Sequence, residues 1–176
     1  GSPSQTASRG SGFRTEKVEN MLNMFSNCGN LNYLDISHFS TSHVTSMMSM
    51  FSSTTSLKSL DLRNFDTSQV ESMTGMFRES GITSLDLSNF NTEKVTNFGY
   101  LVRNCKSLES INLKSFKTSK VKNMDHMFAG AELFNVDISK WKVSEVKNMN
   151  SMFMGSKVFN QNIGAWDDVV VNSNRS

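Results

Sequence analysis

The chain has 176 residues, a length that suits one compact domain or a short repeat array. Its formal net charge is only +2, so bulk charge favours neither a nucleic acid nor a membrane surface as partner. An apolar run of about 18 residues is absent, so no transmembrane segment is predicted. Residues 1–14 are rich in Gly and Ser without apolar periodicity, and we interpret them as a linker or a remnant of expression cloning.

A pattern Val-x-x-Met-x-x-Met-Phe recurs along the rest of the chain every 25 or 26 residues. This spacing lies within the range of about 20–29 residues that is typical of leucine-rich repeats. The fourth copy is degenerate, with Phe98, Leu101 and Val102 in the Met and Phe positions. Each repeat is counted here from its anchor valine: Val18, Val44, Val70, Val95, Val121 and Val146.

A second pattern, Leu-x-x-Leu-Asp-Leu-x-x-Phe, follows each anchor and ends at Phe39 in repeat 1. Its alternation predicts a short, half-buried strand. Apolar residues at offsets 0, 3, 6 and 7 from the valine instead predict a short helical or 3-10 segment. Hydroxyl residues suited to cap such a segment stand three positions before the next anchor: Thr41, Thr67, Thr92 and Thr118.

One such repeat cannot bury its own apolar stripe, so the repeats must stack on one another. We therefore predict an α/β repeat fold, a right-handed leucine-rich-repeat solenoid of six 25–26-residue coils over residues 15–167. Short parallel strands would form one face, and short helical or 3-10 segments the other. Columns of Met and aromatic side chains would fill the core. Residues 168–176 are predicted to be a C-terminal tail or cap.

The acidic residues of the strand pattern form a column, for which two interpretations are open. The column could bind divalent cations, since Ca²⁺ takes several oxygen ligands. Alternatively, each side chain accepts a backbone N–H in the following turn, which Asn can also do. The second interpretation is favoured, so no metal site and no cofactor is predicted. The column comprises Asp35, Asp61, Asp86 and Asp137, with Asn112 and Asn162.

Cys28 and Cys105 occupy one column, three repeats apart. Their separation would be about 14 Å at the strand spacing, which is too far for a disulfide. Both are therefore predicted to be free thiols. Neither a phosphate-binding glycine loop nor a zinc spacing is visible, and no enzyme activity is predicted.

The outward strand positions form an extended polar face, on which solenoids commonly bind partners. Tyr33 and Arg63 are the first candidates there, because binding hot spots favour Tyr and Arg. A second set of candidates is a group of lysines that stacking could merge into a basic stripe, for an anionic glycan or an acidic partner, or simply into a solvated edge. Nucleic acid is not predicted, because aromatic residues are not interleaved there. These lysines are Lys114, Lys117, Lys140 and Lys142.

The stretches Leu60–Val70 and Leu85–Val95 resemble the BspA-like leucine-rich repeats of bacterial surface proteins. The last repeat, Val158–Asp167, resembles the related variant of mollicute surface lipoproteins. The resemblance implies a secreted or cell-surface protein, often an adhesin or variable antigen, with no known catalytic residues.

Three functional hypotheses follow. The first is a non-enzymatic interaction or adhesion module that binds a host or matrix protein, or a glycan, through the extended polar face. The second is a passive structural spacer or antigenic display array. The third is a divalent-cation-dependent binder that uses the Asp column.

Overall fold

The structure, a computed structural model, describes residues 6–7 and 14–166. Backbone bridges hold successive repeats side by side. The bridges are parallel and join the residues two positions after each anchor valine, in chain order from repeat 1 to repeat 6: Asn20, Ser46, Ser72, Asn97, Asn123 and Asn148.

The strands are short: β1 spans Thr6–Ala7, β2 Tyr33–Leu34, β3 Ser84–Asp86 and β4 Ser110–Asn112. β1 pairs in parallel with β2, and β3 pairs in parallel with β4. In β3 the exposed, buried, exposed pattern follows the predicted alternation. β1 lies in the predicted linker, whose other residues up to 13 lie outside the described part of the chain, as do residues 167–176, where a tail or cap is predicted.

The structure corrects the predicted helical or 3-10 segments, because in the described residues each Val-x-x-Met-x-x-Met-Phe stretch holds a backbone bridge followed by turns. Ser49 and Ser53 have positive φ angles of 53° and 58°, a left-handed conformation that interrupts a helix. The N–H groups of Met47 and Ser49 donate to carbonyl oxygens of the next repeat, at 3.0 and 2.8 Å. These N–H groups thus bond to the neighbouring repeat, while those of Met50 and Ser52 close single turns at 3.2 Å, so no helix forms. Within the described ranges, no helix is long and apolar enough to cross a membrane.

The predicted core columns are confirmed in the central repeats. Met47 and Met73 are fully buried, as are Phe51 and Phe77. The rings of Phe51 and Phe77 stack at 5.8 Å between centroids and 8° between planes. Phe25, in the same column of repeat 1, is only partly buried. The apolar interior is therefore shared between neighbouring repeats.

The threonines of the predicted capping column form hydrogen bonds between repeats. Their predicted role as caps of helical segments is therefore wrong. Thr67 is buried, with 1% of its surface exposed. Its hydroxyl donates to the carbonyl of Asn91 at 2.9 Å and accepts the N–H of the same residue at 2.8 Å. Thr41 makes the same pair of hydrogen bonds with Asp66.

Replacing Thr67 by Val is expected to lower the free energy of unfolding by about 2 kcal/mol. The change keeps the side-chain shape but removes two hydrogen bonds, each worth roughly 0.5–1.5 kcal/mol. Equilibrium denaturation measures the loss. The matched control is Thr96→Val, since Thr96 is exposed and its hydroxyl makes a single hydrogen bond, of 3.4 Å, to the Glu71 carbonyl. Equal losses in the two variants would contradict the proposed cross-link.

A close approach between repeats requires glycine at Gly81, in the loop of repeat 3 that is one residue shorter than that of repeat 2. A Cβ added there would lie 2.2 Å from the main-chain oxygen of Thr55. Gly81→Ala is therefore expected to lower the free energy of unfolding by about 1–3 kcal/mol, since a backbone atom cannot rotate away.

The control for that change is Gly29→Ala, where the added Cβ would lie an ordinary 3.5 Å from the Thr55 hydroxyl. Thermal melting of both variants compares them directly. A Gly81 variant as stable as the Gly29 variant would refute the close approach.

Candidate functional site

The side chains of the Asp column form turns within the chain. Each accepts the backbone N–H of the residue two positions later. In the case of Asp137, the hydrogen bonds from Ser139 hold the pKa of the carboxyl below its ordinary value. Within the described residues, His, Cys, Asp and Glu side chains form no group of three suited to a metal ion. These hydrogen bonds support the turn interpretation over a cation column. The pairs are Asp35–Ser37, Asp61–Arg63, Asp86–Ser88, Asn112–Lys114, Asp137–Ser139 and Asn162–Gly164.

The two cysteines are buried, unpaired thiols. The thiol of Cys105 donates to the carbonyl of Phe77 at 2.9 Å, and its sulfur lies 3.7 Å from the Ser80 hydroxyl. Burial raises the pKa of Cys105 to about 11, and burial also raises the pKa of Cys28. Both thiols are thus protonated at neutral pH, whereas a nucleophile needs the thiolate.

On the strand face, Tyr33 is 56% exposed. It lines a depression of 310 Å³ together with Asp35, Ser59 and Asp61. Arg63 does not line this depression. Its guanidinium pairs with both carboxylate oxygens of Asp61, at 2.7 Å for the closest contact, which raises the pKa of Arg63 and lowers that of Asp61. The two candidates of the strand face are therefore different: the Tyr33 ring is available, while the Arg63 charge has a partner.

The four candidate lysines come together in one groove of 670 Å³ on repeats 4 and 5, the basic groove. All four are exposed. Among the residues that the structure describes, none of their ammonium groups takes part in an ion pair. Asp137 contributes the one carboxylate of the lining. The lining comprises Ile111, Asn112, Leu113, Lys114, Phe116, Lys117, Thr118, Ser119, Val136, Asp137, Lys140, Trp141 and Lys142.

The threonine column positions two of these lysines. Lys117 donates its N–H to the Thr92 hydroxyl at 2.7 Å, and the same hydroxyl donates to the Lys117 carbonyl at 2.8 Å. The Thr118 hydroxyl donates to the Lys142 carbonyl at 2.7 Å. Lys117 and Lys142 are therefore held at equivalent places in successive repeats, one above the other.

The basic groove lies where a polar cross-link between repeats is replaced. In repeat 3, the Asn89 amide donates to the carbonyls of Leu62 and Phe65 in repeat 2, at 3.0 Å each. Lys140 has the equivalent position in repeat 5 and makes no such hydrogen bond in the described part of the chain. The Leu113 carbonyl, the equivalent acceptor in repeat 4, thus has no side-chain donor from repeat 5 within the described ranges. A long charged side chain in place of a short amide leaves this edge of the repeat open.

Trp141 provides an aromatic surface beside the lysines. It takes the column that holds Phe in repeats 1 to 4, and it is half-buried. Its ring stacks on Phe116 at 6.2 Å between centroids and 11° between planes. Sequence reasoning assigned Trp141 to the core alone. The sequence signal for a surface role was the size of Trp141, which is larger than the Phe of the same column in other repeats.

A second cluster, on the turn side of repeats 3 to 5, was also missed. The rings of Tyr100 and His126 stack at 4.8 Å and 4°, and His126 contacts Asp125. The guanidinium carbons of Arg78 and Arg103 each lie 5.6 Å from the Tyr100 ring centre. The available signal was that Tyr100 and His126 share one column. None of these residues lines the basic groove.

Comparison with known proteins agrees with this repeat architecture. A family model described as "Mycoplasma protein of unknown function, DUF285" matches residues 4–111 and 81–176. The crystal structure of a leucine-rich repeat protein from Bacteroides ovatus is similar over 76% of this chain and 35% of that chain, with a TM-score of 0.50 and 18% sequence identity. A search of curated proteins found no match. The chain therefore belongs to the DUF285 family and is a BspA-like leucine-rich-repeat protein.

Proposed function

We propose that this chain is a non-enzymatic interaction module, which binds a protein or a glycan through its extended polar face. The observation that carries the proposal is that this polar surface has two concave sites, the Tyr33 depression of 310 Å³ and the basic groove of 670 Å³. Sites of roughly 300–1,000 Å³ are typical of ligand pockets. The buried, protonated thiols and the occupied carboxylates supply no competing chemistry.

The extended shape that this function needs follows from stacking. We propose a right-handed solenoid of six coils over residues 15–167, and the unbroken series of parallel bridges from Asn20 to Asn148 supports it. Neighbouring strands lie about 4.8 Å apart, so six coils would present a face roughly 25–30 Å long. A face of that length suits an extended partner.

A secreted or cell-surface location on a bacterium is part of the same proposal. Its support is the BspA-like repeat pattern, which is the pattern of bacterial surface proteins. Under this proposal the natural partner is a host or matrix protein, or a glycan.

A binding screen of immobilised matrix proteins and glycans tests the function. We expect at least one partner, and we expect Tyr33→Ala to weaken its binding tenfold or more if the strand face is used, as is typical of aromatic hot spots. Leu22→Ala is the matched control, because Leu22 is also exposed, at 46%, but belongs to the turn side. Absence of any partner, with full stability of the protein, would favour the passive spacer instead.

Calcium titration tests the cation-dependent alternative. We expect the melting temperature to stay unchanged in millimolar Ca²⁺, since the Asp carboxylates already accept backbone N–H groups. An ion that binds only the native state raises the melting temperature. A rise that disappears in Asp86→Asn would support the cation column.

A further inference from the structure

We infer that the basic groove is a subsite for an acidic polysaccharide, a chain of sugar rings that carry carboxylate or sulfate groups. The inference rests on the proposed function and names the class of ligand for one of its two concave sites. It is carried by the charge, the spacing, the aromatic ring and the carbonyl acceptor that meet in this groove.

The charge of the groove is strongly unbalanced. Four lysines and one aspartate line it, which gives a formal charge of +3. Asp137, the one acidic group, already accepts the N–H of Ser139 at 2.9 Å. Among the described residues, no lysine ammonium group of the groove forms an ion pair. Lys140 and Lys114 lie near enough to Asp137 and Asp86 to help lower the pKa of those carboxyls, whereas no carboxylate of the described chain acts in this way on Lys117 or Lys142. The excess of cations favours an anionic ligand.

The lysines are arranged for a ligand with repeated charges. Lys117 and Lys142 stand in one column, fixed by hydrogen bonds to Thr92 and Thr118. Stacking therefore places the backbones of the two lysines about 4.8 Å apart, the distance between neighbouring strands, so that their long side chains leave the protein from successive repeats. A polymer that carries anions at regular intervals matches this arrangement better than a single small anion does.

The remaining lining distinguishes sugar rings from an acidic peptide. The half-buried indole of Trp141 offers an apolar surface on which the C–H face of a sugar ring can pack. The Leu113 carbonyl, in the same lining, already accepts the N–H of Phe116 at 3.0 Å. Its second lone pair can accept a ligand hydroxyl, because no side chain of repeat 5 donates to it among the described residues. Single-stranded nucleic acid fits less well, since its bases need successive aromatic rings.

Titration calorimetry with oligosaccharides of heparin, which carries sulfate and carboxylate groups, and of hyaluronan, which carries carboxylate groups alone, tests the inference. We expect at least one of them to bind, with an affinity that falls as salt is added. The double variant Lys117→Gln/Lys142→Gln should bind roughly fivefold or more weakly, because it removes two charge contacts. The matched control is Lys17→Gln/Lys106→Gln, which loses the same charge at exposed lysines outside the groove and should bind as the wild type does.

A second variant, Trp141→Phe, separates a sugar from a mere polyanion. Phenylalanine is the residue of this column in repeats 1 to 4, so the core packing is retained. We expect oligosaccharide binding to weaken about threefold or more, whereas any weak electrostatic binding of a polyglutamate peptide should not change.

The inference is overturned if neither oligosaccharide binds, or if the two lysine double variants bind alike. It is also overturned if polyglutamate or a single-stranded oligonucleotide binds more tightly than the oligosaccharides, with the same dependence on Lys117 and Lys142. The proposed function survives each of these results when the screen finds a partner whose binding depends on Tyr33. Only a screen without any partner would remove both.

Discussion

Phe77→Ala is expected to lower the free energy of unfolding by about 3–5 kcal/mol, the range typical of buried aromatic residues. Phe77 is fully buried and stacks on Phe51 with ring centroids 5.8 Å apart. Removing the ring leaves a cavity that the neighbouring repeats must share. Such a loss is a large part of the roughly 5–15 kcal/mol that keeps a protein folded. Equilibrium denaturation in urea measures it.

Repeat arrays are stabilised by contacts between nearest neighbours, so the position of the cavity also matters. Phe25→Ala is the matched control, because Phe25 holds the same column in repeat 1 but is only partly buried. Its loss should be clearly smaller. If Phe25→Ala lowered the free energy of unfolding as much as Phe77→Ala does, burial of the ring would not determine its contribution to stability.

The core could be predicted from the sequence because a fixed repeat length turns each apolar position into a column. Met47 and Met73 are one repeat apart, and both are fully buried. This inference needs no knowledge of the local backbone conformation. Any conformation that repeats with the sequence brings such residues into contact.

The local conformation of the Val-x-x-Met-x-x-Met-Phe stretch could not be inferred in the same way. Apolar offsets of 0, 3, 6 and 7 fit one face of a helix, yet they also fit consecutive turns. The distinguishing signal lay in the positions five and nine residues after the valine, which have positive φ. Gly75 and Gly130 stand at such positions, where glycine is favoured. Glu79 and Tyr100 adopt the same conformation without being glycine, which weakened the signal.

The basic groove could likewise be predicted only in part from the sequence. Its lysines could be placed near one another from the repeat register alone. The groove between them could not be predicted, because it depends on which side chains replace the usual residues of two columns. Lys140 stands where Asn89 cross-links two earlier repeats, and Trp141 stands in a column of Phe. Both effects follow from comparing side-chain size within a column, which becomes informative only once the contacts of the column are known.

The stability of the protein is expected to fall between pH 9 and pH 11 because of Cys105, whose pKa burial raises to about 11. Below pH 9 the thiol is protonated in both the folded and the unfolded chain, so the stability is fully present. Between these values the unfolded chain releases the proton while the folded chain retains it, and the stability decreases as pH rises. A difference of about two pKa units corresponds to roughly 2–3 kcal/mol.

Cys105→Ser isolates this contribution from the other groups that titrate in alkali. Serine already occupies the column in repeat 6, where the Ser156 hydroxyl donates to the Phe128 carbonyl at 2.6 Å, as the Cys105 thiol does to Phe77. The variant should keep the fold but lack the ionisable thiol. The difference in unfolding free energy between the wild type and the variant should therefore be constant up to about pH 9 and then shift by roughly 2–3 kcal/mol in favour of the variant. A difference that stays constant up to pH 11 would mean that Cys105 ionises as readily in the fold as in the unfolded chain, and that the interior of repeat 4 is open to water.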